Sequence, residues 1–425
     1  MSGFLSACGD PHLGPLVVHI AGTNGKGSTA TMVTEVLVRA GYRVGTNLSP
    51  HLEHVNERFL IDGVPVSDAV LETQIGRLAR IREDWARSQG MTDALTYFEF
   101  ATALAFFIFQ AHAVDVMVIE VGLGGRLDAT NVVEPAVTAI TSIGLDHVEQ
   151  LGGTLDSIAR EKAGIFKPGV PAVVGPLPEA AMQAVVTRAQ RVGAPLWRPG
   201  AQLLMDGRSD GWWFSTPHGE LQQVTLALAG RHQGANALVA LGIVHRLREL
   251  GLTIPDEHVL DGLSQASIPG RIETLCPGLV VDGAHNEAGA RALAAWLAAR
   301  PRPSCRILLF GMGAGRTPHD VLGPLLPHVD EVVTTRCAHP KAMDSLELAQ
   351  MIGEISPILA DGGPIEQALP ECFVDAQETI VAGSLYLAGA ARSVFHAGEL
   401  EGLSPGMSAE SGVTGAPELG SEGGP

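Results

Sequence analysis

A glycine-rich segment that follows an apolar strand and opens a helix constrains this chain more than any other feature. The strand is predicted over residues 16–21, the glycine-rich segment spans residues 22–28 (GTNGKGS), and helical periodicity runs through residues 28–40. Backbone N–H groups of such a loop bind phosphate oxygens, and Lys26 is placed to reach the terminal phosphates. The pattern predicts a nucleotide phosphate loop rather than an ordinary strand-to-helix turn, formed by Thr23, Asn24, Gly25, Lys26, Gly27 and Ser28.

One position of this loop departs from the commonest phosphate-loop pattern. The residue directly after the lysine is usually Ser or Thr, whose hydroxyl binds magnesium, but here it is Gly27. The magnesium-binding hydroxyl must therefore come from Ser28 or from another part of the chain.

Further candidate magnesium ligands stand at the ends of two later strands. Glu120 is an acid within the apolar segment 114–121, and Asp146 and His147 follow the apolar segment 137–143. Because the carboxyl ends of parallel strands share one edge of a sheet, these residues are expected to lie near the phosphate loop. Carboxylate oxygens suit magnesium, so we predict a metal site here, although His147 alone is also compatible with a core or surface histidine.

Strands and helices alternate along the first two-thirds of the chain, which predicts an α/β fold with a parallel, doubly wound sheet. Residues 196–228 instead predict a small antiparallel element. The alternation restarts after a Pro-Gly break at residues 269–270. We therefore predict an ATP-binding domain over residues 1–268, a smaller Rossmann-like domain over residues 269–396, and a disordered tail over residues 397–425.

The charge and the apolar segments exclude several classes of protein. A net charge of −18 argues against nucleic acid as a partner. No apolar run approaches the ~20 residues of a membrane-spanning helix, and residues 1–15 lack the pattern of a secretory signal. The five cysteines are far apart and none has zinc spacing, which favours reduced thiols in the cytoplasm.

The ordered motifs of this chain resemble the folylpolyglutamate synthase and dihydrofolate synthase family, within the Mur ligase superfamily. The matches run in family order from about residue 16 to about residue 395. They are residues 19–28 (HIAGTNGKGS), 49–52 (SPHL), 56–58 (NER), 96–99 (TYFE), 120–131 (EVGLGGRLDATN), 146–147 (DH), 160–166 (REKAGIF), 232–233 (HQ), 236–237 (NA), 269–271 (PGR), 282–286 (DGAHN) and 383–386 (GSLY).

This resemblance implies a Mur-ligase-type central domain and an activity. The expected reaction joins L-glutamate to a folate or to dihydropteroate through an acyl phosphate, with ATP and Mg²⁺ as cofactors, in a cytoplasmic monomer. It implies magnesium ligation by Ser49, Glu120 and His147, catalytic roles for Lys26, Glu120, His147 and a carbamylated Lys162, and ATP contacts from Asn236, Arg271 and Asp282. It also implies an acceptor site lined by Thr96, Tyr97, Phe98, Glu99, Leu127, Asp128 and Ala129.

Two departures and three alternatives accompany this interpretation. Where the family often has Asp-Lys-Asp, residues 313–320 read GAGRTPHD, which questions a role of that loop in handling glutamate. Only fifteen residues precede the first strand, so we expect weak ligation of dihydropteroate, from a late start codon or an absent loop. The alternatives are a Mur-type ligase for a peptidoglycan-like precursor, a regulatory phosphate-loop NTPase, and a catalytically silent binding protein.

Overall fold

The computed structural model describes residues 1–91, 95–314, 317–353 and 359–405. The chain divides into two compact units, Met1–Pro269 and Gly270–Pro425. This division lies one residue from the domain boundary that the Pro-Gly break suggested.

The strands of the first unit alternate with helices, as the sequence predicted. The strands are β1 (Leu16–Ala21), β2 (Val44–Asn47), β3 (Phe59–Ile61), β4 (Val64–Pro65), β5 (Val116–Glu120), β6 (Val137–Ile140), β7 (Ala172–Val174), β8 (Leu196–Trp197), β9 (Leu204–Arg208), β10 (Gly211–Thr216) and β11 (Gly219–Val224). The helices are α1 (Ser2–Ala7), α2 (Lys26–Arg39), α3 (Asp68–Ser88), α4 (Tyr97–Ala111), α5 (Val148–Leu151), α6 (Leu155–Lys162), α7 (Glu179–Val192), α8 (Gln233–Glu249) and α9 (Asp256–Gln265).

The first eight strands form one sheet in the order β4-β3-β2-β5-β1-β6-β7-β8. Strands β2, β5, β1, β6, β7 and β8 pair in parallel, which confirms the predicted α/β class. The sheet is not wholly parallel, because β3 and β4 pair antiparallel at one edge. The phosphate loop follows β1, whose neighbours are β5 and β6.

Successive side chains of the central strands enter two different cores, which explains why these strands read as continuous apolar runs. On β5, Val116 and Val118 pack into a core that includes α2, α8 and α9. Met117 and Ile119 point to the other face and pack with α1, α3 and α4. Helices therefore cover both faces of the sheet, as expected for a doubly wound fold.

A separate three-stranded sheet, ordered β11-β10-β9, is antiparallel, as the sequence predicted for this region. Trp212 on β10 is partly buried and packs against the hydrophobic core that contains α2, α8 and α9. Trp213 lies next to the guanidinium of Arg208 instead, with Cζ 5.3 Å from the centroid of its ring.

The second unit contains another α/β sheet. Its strands are β12 (Glu273–Cys276), β13 (Leu279–Val281), β14 (Arg306–Phe310), β15 (Glu331–Arg336), β16 (Leu359–Pro364) and β17 (Glu378–Ala382), in the order β12-β13-β17-β14-β15-β16. Only β12 pairs antiparallel in this sheet. The helices are α10 (Glu287–Ala298), α11 (Pro318–Leu322), α12 (Ser345–Ile352), α13 (Ile365–Asp375) and α14 (Leu385–His396).

The predicted disordered tail begins too early. Residues 397–405 follow α14 with turns, and Leu400 is only 7% exposed within the core of the second unit. The composition is rich in glycine and glutamate, but the occasional leucine supplies apolar contacts that the pattern alone does not reveal. The remainder of that prediction, residues 406–425, lies outside the described residues.

Candidate active site

Close packing around the phosphate loop requires glycine at its first two glycine positions, Gly22 and Gly25. Gly25 caps the N-terminus of α2 in the left-handed region, with φ of 83°. A Cβ on Gly25 would lie 2.1 Å from Oδ1 of Asn236, and one on Gly22 would lie 1.9 Å from Oγ1 of Thr141. The loop is therefore pressed against two side chains that are distant in sequence, one of them the predicted nucleotide contact Asn236.

Hydrogen bonds to the segment after β6 fix the loop between these glycines. The N–H of Asn24 donates to Oγ of Ser142 at 2.9 Å, and the hydroxyl of Thr141 donates to the carbonyl of Asn24 at 2.6 Å. Thr23 exchanges bonds with Gly144, whose N–H donates to the Thr23 hydroxyl at 3.0 Å. Sequence reasoning missed Thr141 and Ser142, although hydroxyl residues directly after an apolar strand were a readable signal.

Lys26, Glu120 and Ser49 come together at the carboxyl ends of β1, β5 and β2. Nζ of Lys26 lies 3.7 Å from Oε1 of Glu120. The other oxygen, Oε2, accepts the N–H of Ser49 at 3.0 Å. Glu120 is only 4% exposed, and a buried carboxylate is stable only beside such partners or a cation. Gly27 packs closely here, since a Cβ on it would lie 2.9 Å from Cδ1 of Ile268 and 3.7 Å from Oε2 of Glu120.

The donor set of this corner fits a magnesium ion that also binds phosphate. Among the described ranges, no three His, Cys, Asp or Glu side chains gather that could hold a metal ion by themselves. Magnesium commonly takes one or two carboxylates and completes its shell with substrate phosphates and water. Glu120 beside the helix N-terminus matches that arrangement.

His147 and Asp146 follow β6, as the strand-end argument predicted. His147 adopts a left-handed φ of 50° at the start of α5, and Nε2 of its half-exposed ring lies 3.9 Å from Oδ1 of Asp146. The imidazole is therefore half exposed to solvent beyond the end of the strand, and its role as a magnesium ligand stays a prediction.

Lys162 is buried against the phosphate loop rather than exposed on its helix. Its Nζ donates to the carbonyl of Gly22 at 2.8 Å, and the residue is 5% exposed. Burial, together with the charge of Lys26, lowers the pKa of Lys162 to about 7, against the opposing charges of Asp146 and Asp128. A large share of this amine is therefore neutral and nucleophilic near neutral pH.

Two of the four residues predicted on α4 for the acceptor site cap the helix instead of projecting freely. The hydroxyl of Thr96 accepts the N–H of Glu99, and Oε2 of Glu99 accepts the N–H of Thr96 at 2.9 Å. The bonds that this carboxylate accepts from the N–H and from the hydroxyl of Thr96 lower the pKa of Glu99. The pattern T-x-x-E before an apolar run is itself a capping-box signature. Phe98 packs against Gly122, and Tyr97 is 64% exposed.

The 122–131 loop, defined here as the segment that follows β5, is folded around Asp128. One carboxylate oxygen accepts the N–H of Leu123 at 2.8 Å, and the other accepts the N–H of Thr130 at 3.0 Å. Burial raises the pKa of Asp128, and these hydrogen bonds oppose the increase. Leu127, on the same loop, is 79% exposed, and Ala129 begins a short 3₁₀ turn.

In the second unit, Arg271 and Asp282 lie close to each other. The two carboxylate oxygens of the buried Asp282 accept the N–H groups of Ile272 and Ala284, each at 2.8 Å. Burial raises the pKa of Asp282, and the charge of Arg271 is the largest opposing influence. Asp282 therefore organises the backbone at the start of this unit, a role that the motif alone did not indicate.

The fold and the phosphate-binding corner define a Mur-type ligase. Residues 66–244 match the family model described as the Mur ligase middle domain. Residues 273–392 match the model described as the dihydrofolate synthetase C-terminal domain.

Curated relatives narrow the class to one family. The chain is 35% identical to the dihydrofolate synthase/folylpolyglutamate synthase of Escherichia coli, covering 80% of this chain and 77% of the relative. It is 31% identical to the protein of the same name from Mycobacterium tuberculosis, covering 93% and 89%. The chain belongs to the dihydrofolate synthase/folylpolyglutamate synthase family. The predicted family and its enzyme class, an ATP-dependent ligase of glutamate to folate-type acceptors, are confirmed.

Solved structures agree with this assignment. E. coli FolC in complex with DHPP and ADP has a TM-score of 0.84 and 32% identity over 93% of each chain. The M. tuberculosis folylpolyglutamate synthase complexed with ADP has a TM-score of 0.86 and 32% identity, over 95% of this chain and 94% of that chain. A bifunctional folylpolyglutamate synthase/dihydrofolate synthase with Mn, AMPPNP and L-glutamate bound has a TM-score of 0.82 and 33% identity, over 93% of this chain and 94% of that chain. The predicted Mur-ligase fold class is thereby confirmed.

Proposed function

We propose that this corner of the first unit binds ATP and magnesium and activates the carboxylate of a folate-type acceptor for attack by L-glutamate. The observation that carries the proposal is the position of Lys26, at the N-terminus of α2 and 3.7 Å from the buried Glu120. A cation and a metal-binding carboxylate at one helix terminus suit the phosphates of ATP. Relatives with bound ADP, and with bound AMPPNP and Mn, support this choice of cofactors.

In this proposal, Lys26 and the backbone N–H groups of residues 22–28 hold the β- and γ-phosphates. Glu120, His147 and the Ser49 hydroxyl would hold magnesium, which supplies positive charge for phosphoryl transfer when it is bound. Asn236, which packs on Gly25, would contact the nucleotide. Arg271 and Asp282 of the second unit keep the nucleotide-binding role that the family resemblance implies.

The chemistry follows from the poor reactivity of a carboxylate toward amines. A carboxylate oxygen of the acceptor attacks the γ-phosphorus, and ADP leaves with the electrons of the broken P–O bond. The amine of glutamate then attacks the acyl carbon, loses a proton, and expels inorganic phosphate to leave an amide. Lys26 favours the first step because it neutralises charge that spreads over the transferring phosphoryl group.

The acceptor would lie against α4 and the 122–131 loop. Exposed Tyr97 and Leu127 offer apolar surface for aromatic rings, Phe98 packs against Gly122 at the start of the loop, and Asp128 and Ala129 lie on the loop itself. Thr96 and Glu99 would contribute mainly by fixing the start of α4 through their capping bonds.

Lys162 is proposed to act as a carbamate. Its neutral amine attacks carbon dioxide, forming an N–C bond and releasing one proton, which converts the neutral amine into an anionic carbamate. The lowered pKa of Lys162 supports this step, because only the unprotonated amine reacts. The resulting oxygens would lie beside the carbonyl of Gly22 and complement a cation bound at the phosphate loop.

Phosphate release with ATP, glutamate and either dihydropteroate or tetrahydrofolate tests this function and identifies the acceptor. We expect release to require both glutamate and one of the two acceptors. Release without any acceptor would favour the NTPase alternative, and release only with a peptidoglycan-like precursor would favour a different Mur-type ligase. Mass spectrometry of the product checks that one glutamate residue has been added.

We also propose that the enzyme is a cytoplasmic monomer that does not bind nucleic acid. The net charge of −18 disfavours a polyanionic partner. All five cysteines are unpaired thiols, as in reducing compartments. Among the described residues, none of the helices has the length and apolar character needed to cross a membrane. Light scattering after size-exclusion chromatography tests the monomer, since a mass twice that of the chain would contradict it.

A further inference from the structure

A buried hydrogen-bond chain joins the centre of β1 to the 122–131 loop. Nε2 of His19 lies 2.9 Å from Oγ1 of Thr130, although the two residues are 111 positions apart in sequence. The Thr130 hydroxyl in turn lies 2.6 Å from Oδ1 of Asp128. Both His19 and Thr130 are completely buried, and nothing in the reaction described above uses them.

The chemistry of the three groups fixes which one donates and which one accepts in each of these hydrogen bonds. A carboxylate can only accept, so the Thr130 hydroxyl donates to Asp128 and must accept its other hydrogen bond from an Nε2–H of His19. Nδ1 of His19 is buried without a hydrogen-bond partner in the described structure, which disfavours a proton there. Burial, with the charge of Lys167, lowers the pKa of His19 to about 3, consistent with a neutral ring.

Asp128 connects the two ends of the 122–131 loop through its hydrogen bonds. Its carboxylate accepts the N–H of Leu123 near the start of the loop and the N–H of Thr130 near the end. The bonds from the Thr130 hydroxyl and N–H share one oxygen, so most acceptor positions of the carboxylate are occupied by the loop itself. Asp128 is therefore built to close the loop, whether or not it also touches a ligand.

We propose that His19 and Thr130 are positioning residues for acceptor binding, because they fix the Asp128 carboxylate that closes the 122–131 loop. This inference rests on the proposed function, in which the loop presents Leu127 and Ala129 to the acceptor. The nucleotide is bound by the phosphate loop, which has its own clamp of Thr141 and Ser142. Disturbing the His19–Thr130–Asp128 chain should therefore affect the acceptor and spare ATP.

Thr130→Val tests the hydrogen bonds from His19 to Asp128, because it removes the Thr130 hydroxyl and keeps the shape of the side chain. We expect the KM for dihydropteroate or tetrahydrofolate to increase about tenfold, the loss typical of one buried hydrogen bond to a charged group, with kcat and the KM for ATP within about threefold. Thr130→Ser keeps the hydroxyl and should restore the acceptor KM. Thr138→Val is the matched control, since Thr138 is buried beside His19 on β6 and donates only to the carbonyl of Pro171.

The pH profile separates this role from simple destabilisation. The Thr130 hydroxyl opposes the raised pKa of Asp128, so its loss should raise that pKa further. The acid limb of kcat/KM for the acceptor should then move to higher pH in Thr130→Val and stay in place in Thr138→Val. An unmoved acid limb, or equal increases in the KM for acceptor and ATP, would overturn the inference.

Two variants of His19 and one spectroscopic measurement test whether the Nε2–H of His19 donates to the Thr130 hydroxyl. His19→Gln can place an amide N–H near the position of Nε2 and should bind acceptor more tightly than His19→Phe, which has no donor. Nitrogen NMR of the wild-type protein should find His19 neutral with its proton on Nε2, identified by loss of its signals in whichever variant folds. A proton on Nδ1, or no difference between the variants, would contradict the proposed direction. A wild-type protein that consumes neither acceptor would instead refute the proposed function.

Discussion

The phosphate loop and the 122–131 loop follow neighbouring parallel strands, β1 and β5, but they are held in place by different means. The phosphate loop is short, depends on glycines, and is fixed mainly by bonds to its backbone from Thr141 and Ser142. The 122–131 loop depends on side chains that reach it from β1 and from α6, including His19 and Glu161. Both loops therefore depend on contacts from distant parts of the sequence, but these contacts hold the backbone of the phosphate loop and the Asp128 side chain of the 122–131 loop.

The largest effect is expected at the phosphate loop. Lys26→Ala should reduce turnover at least about a hundredfold, because it removes a charge placed for the transferring phosphoryl group. The melting temperature should stay close to that of the wild type. Arg39→Ala is the control, since it removes a cation from the other end of the same helix, where Arg39 pairs with Glu35. Similar turnover in the two variants would show that Lys26 has no special role.

Lys162, which touches the carbonyl of Gly22, should produce the next largest effect. Lys162→Ala should lose about ten- to hundredfold in activity, the range typical of groups that orient the ligands of a metal ion without binding it themselves. Short carboxylic acids should restore part of the loss. Because the pKa of Lys162 is about 7, the neutral amine predominates at pH 8 and is the minor form at pH 6. Enzyme depleted of carbon dioxide should therefore recover with bicarbonate faster at pH 8, and equal recovery at both values would argue against carbamylation.

Gly25→Ala tests whether the phosphate loop depends on close packing as well as on backbone conformation. Gly25 and Gly41 have φ of 83° and 88°, so alanine at either position carries a left-handed cost of about 1–2 kcal/mol. Only at Gly25 would the new Cβ meet Asn236, while Gly41 has open space around it. Thermal unfolding should show both variants destabilised, and calorimetry should show about tenfold weaker ATP binding only in Gly25→Ala. Equal ATP affinities would mean that the Asn236 contact is unimportant.

The smallest effect is expected where the 122–131 loop contacts α6 at the surface. Arg126 pairs with Glu161 at 3.0 Å, but its side chain is half exposed and such pairs contribute about 0–1 kcal/mol. Its backbone N–H still donates to the carbonyl of Glu161 at 2.8 Å in any variant. Arg126→Ala should therefore raise the acceptor KM no more than about threefold, and less at high salt. An increase as large as that of Thr130→Val would show that α6, rather than β1, holds the loop in place.

How well each loop could be predicted follows from the same contrast. Residues 22–28 carry their function in a local spacing, so the strand, the loop and the helix were all predictable. Glu120 was also predictable, because an acid in an apolar strand needs a partner and parallel strands bring such ends together. Thr141 and Ser142 were not identified as clamps, since their partner depends on β6 lying beside β1.

The 122–131 loop was predicted only as a family motif. Its anchor, His19, stands in a strand whose other residues are apolar, and that isolated polar residue was the available signal. Its partner, Thr130, could not be assigned, because nothing local relates two residues that are 111 positions apart. Thr96 and Glu99 are the opposite case, since their local pattern was visible but its capping role was not identified, and their place in an acceptor site stays a prediction.

The origin of the oxygen in the released phosphate tests the central claim most directly. If the acceptor carboxylate attacks ATP, an acceptor labelled with ¹⁸O in that carboxylate must transfer one labelled oxygen to each phosphate released during ligation. We predict one labelled oxygen in each phosphate from a reaction with fully labelled dihydropteroate or tetrahydrofolate, measured by mass spectrometry in unlabelled water. Phosphate that carries no label from the acceptor, and that gains label in a second reaction of unlabelled acceptor in ¹⁸O-water, would contradict an acyl phosphate and indicate ATP hydrolysis.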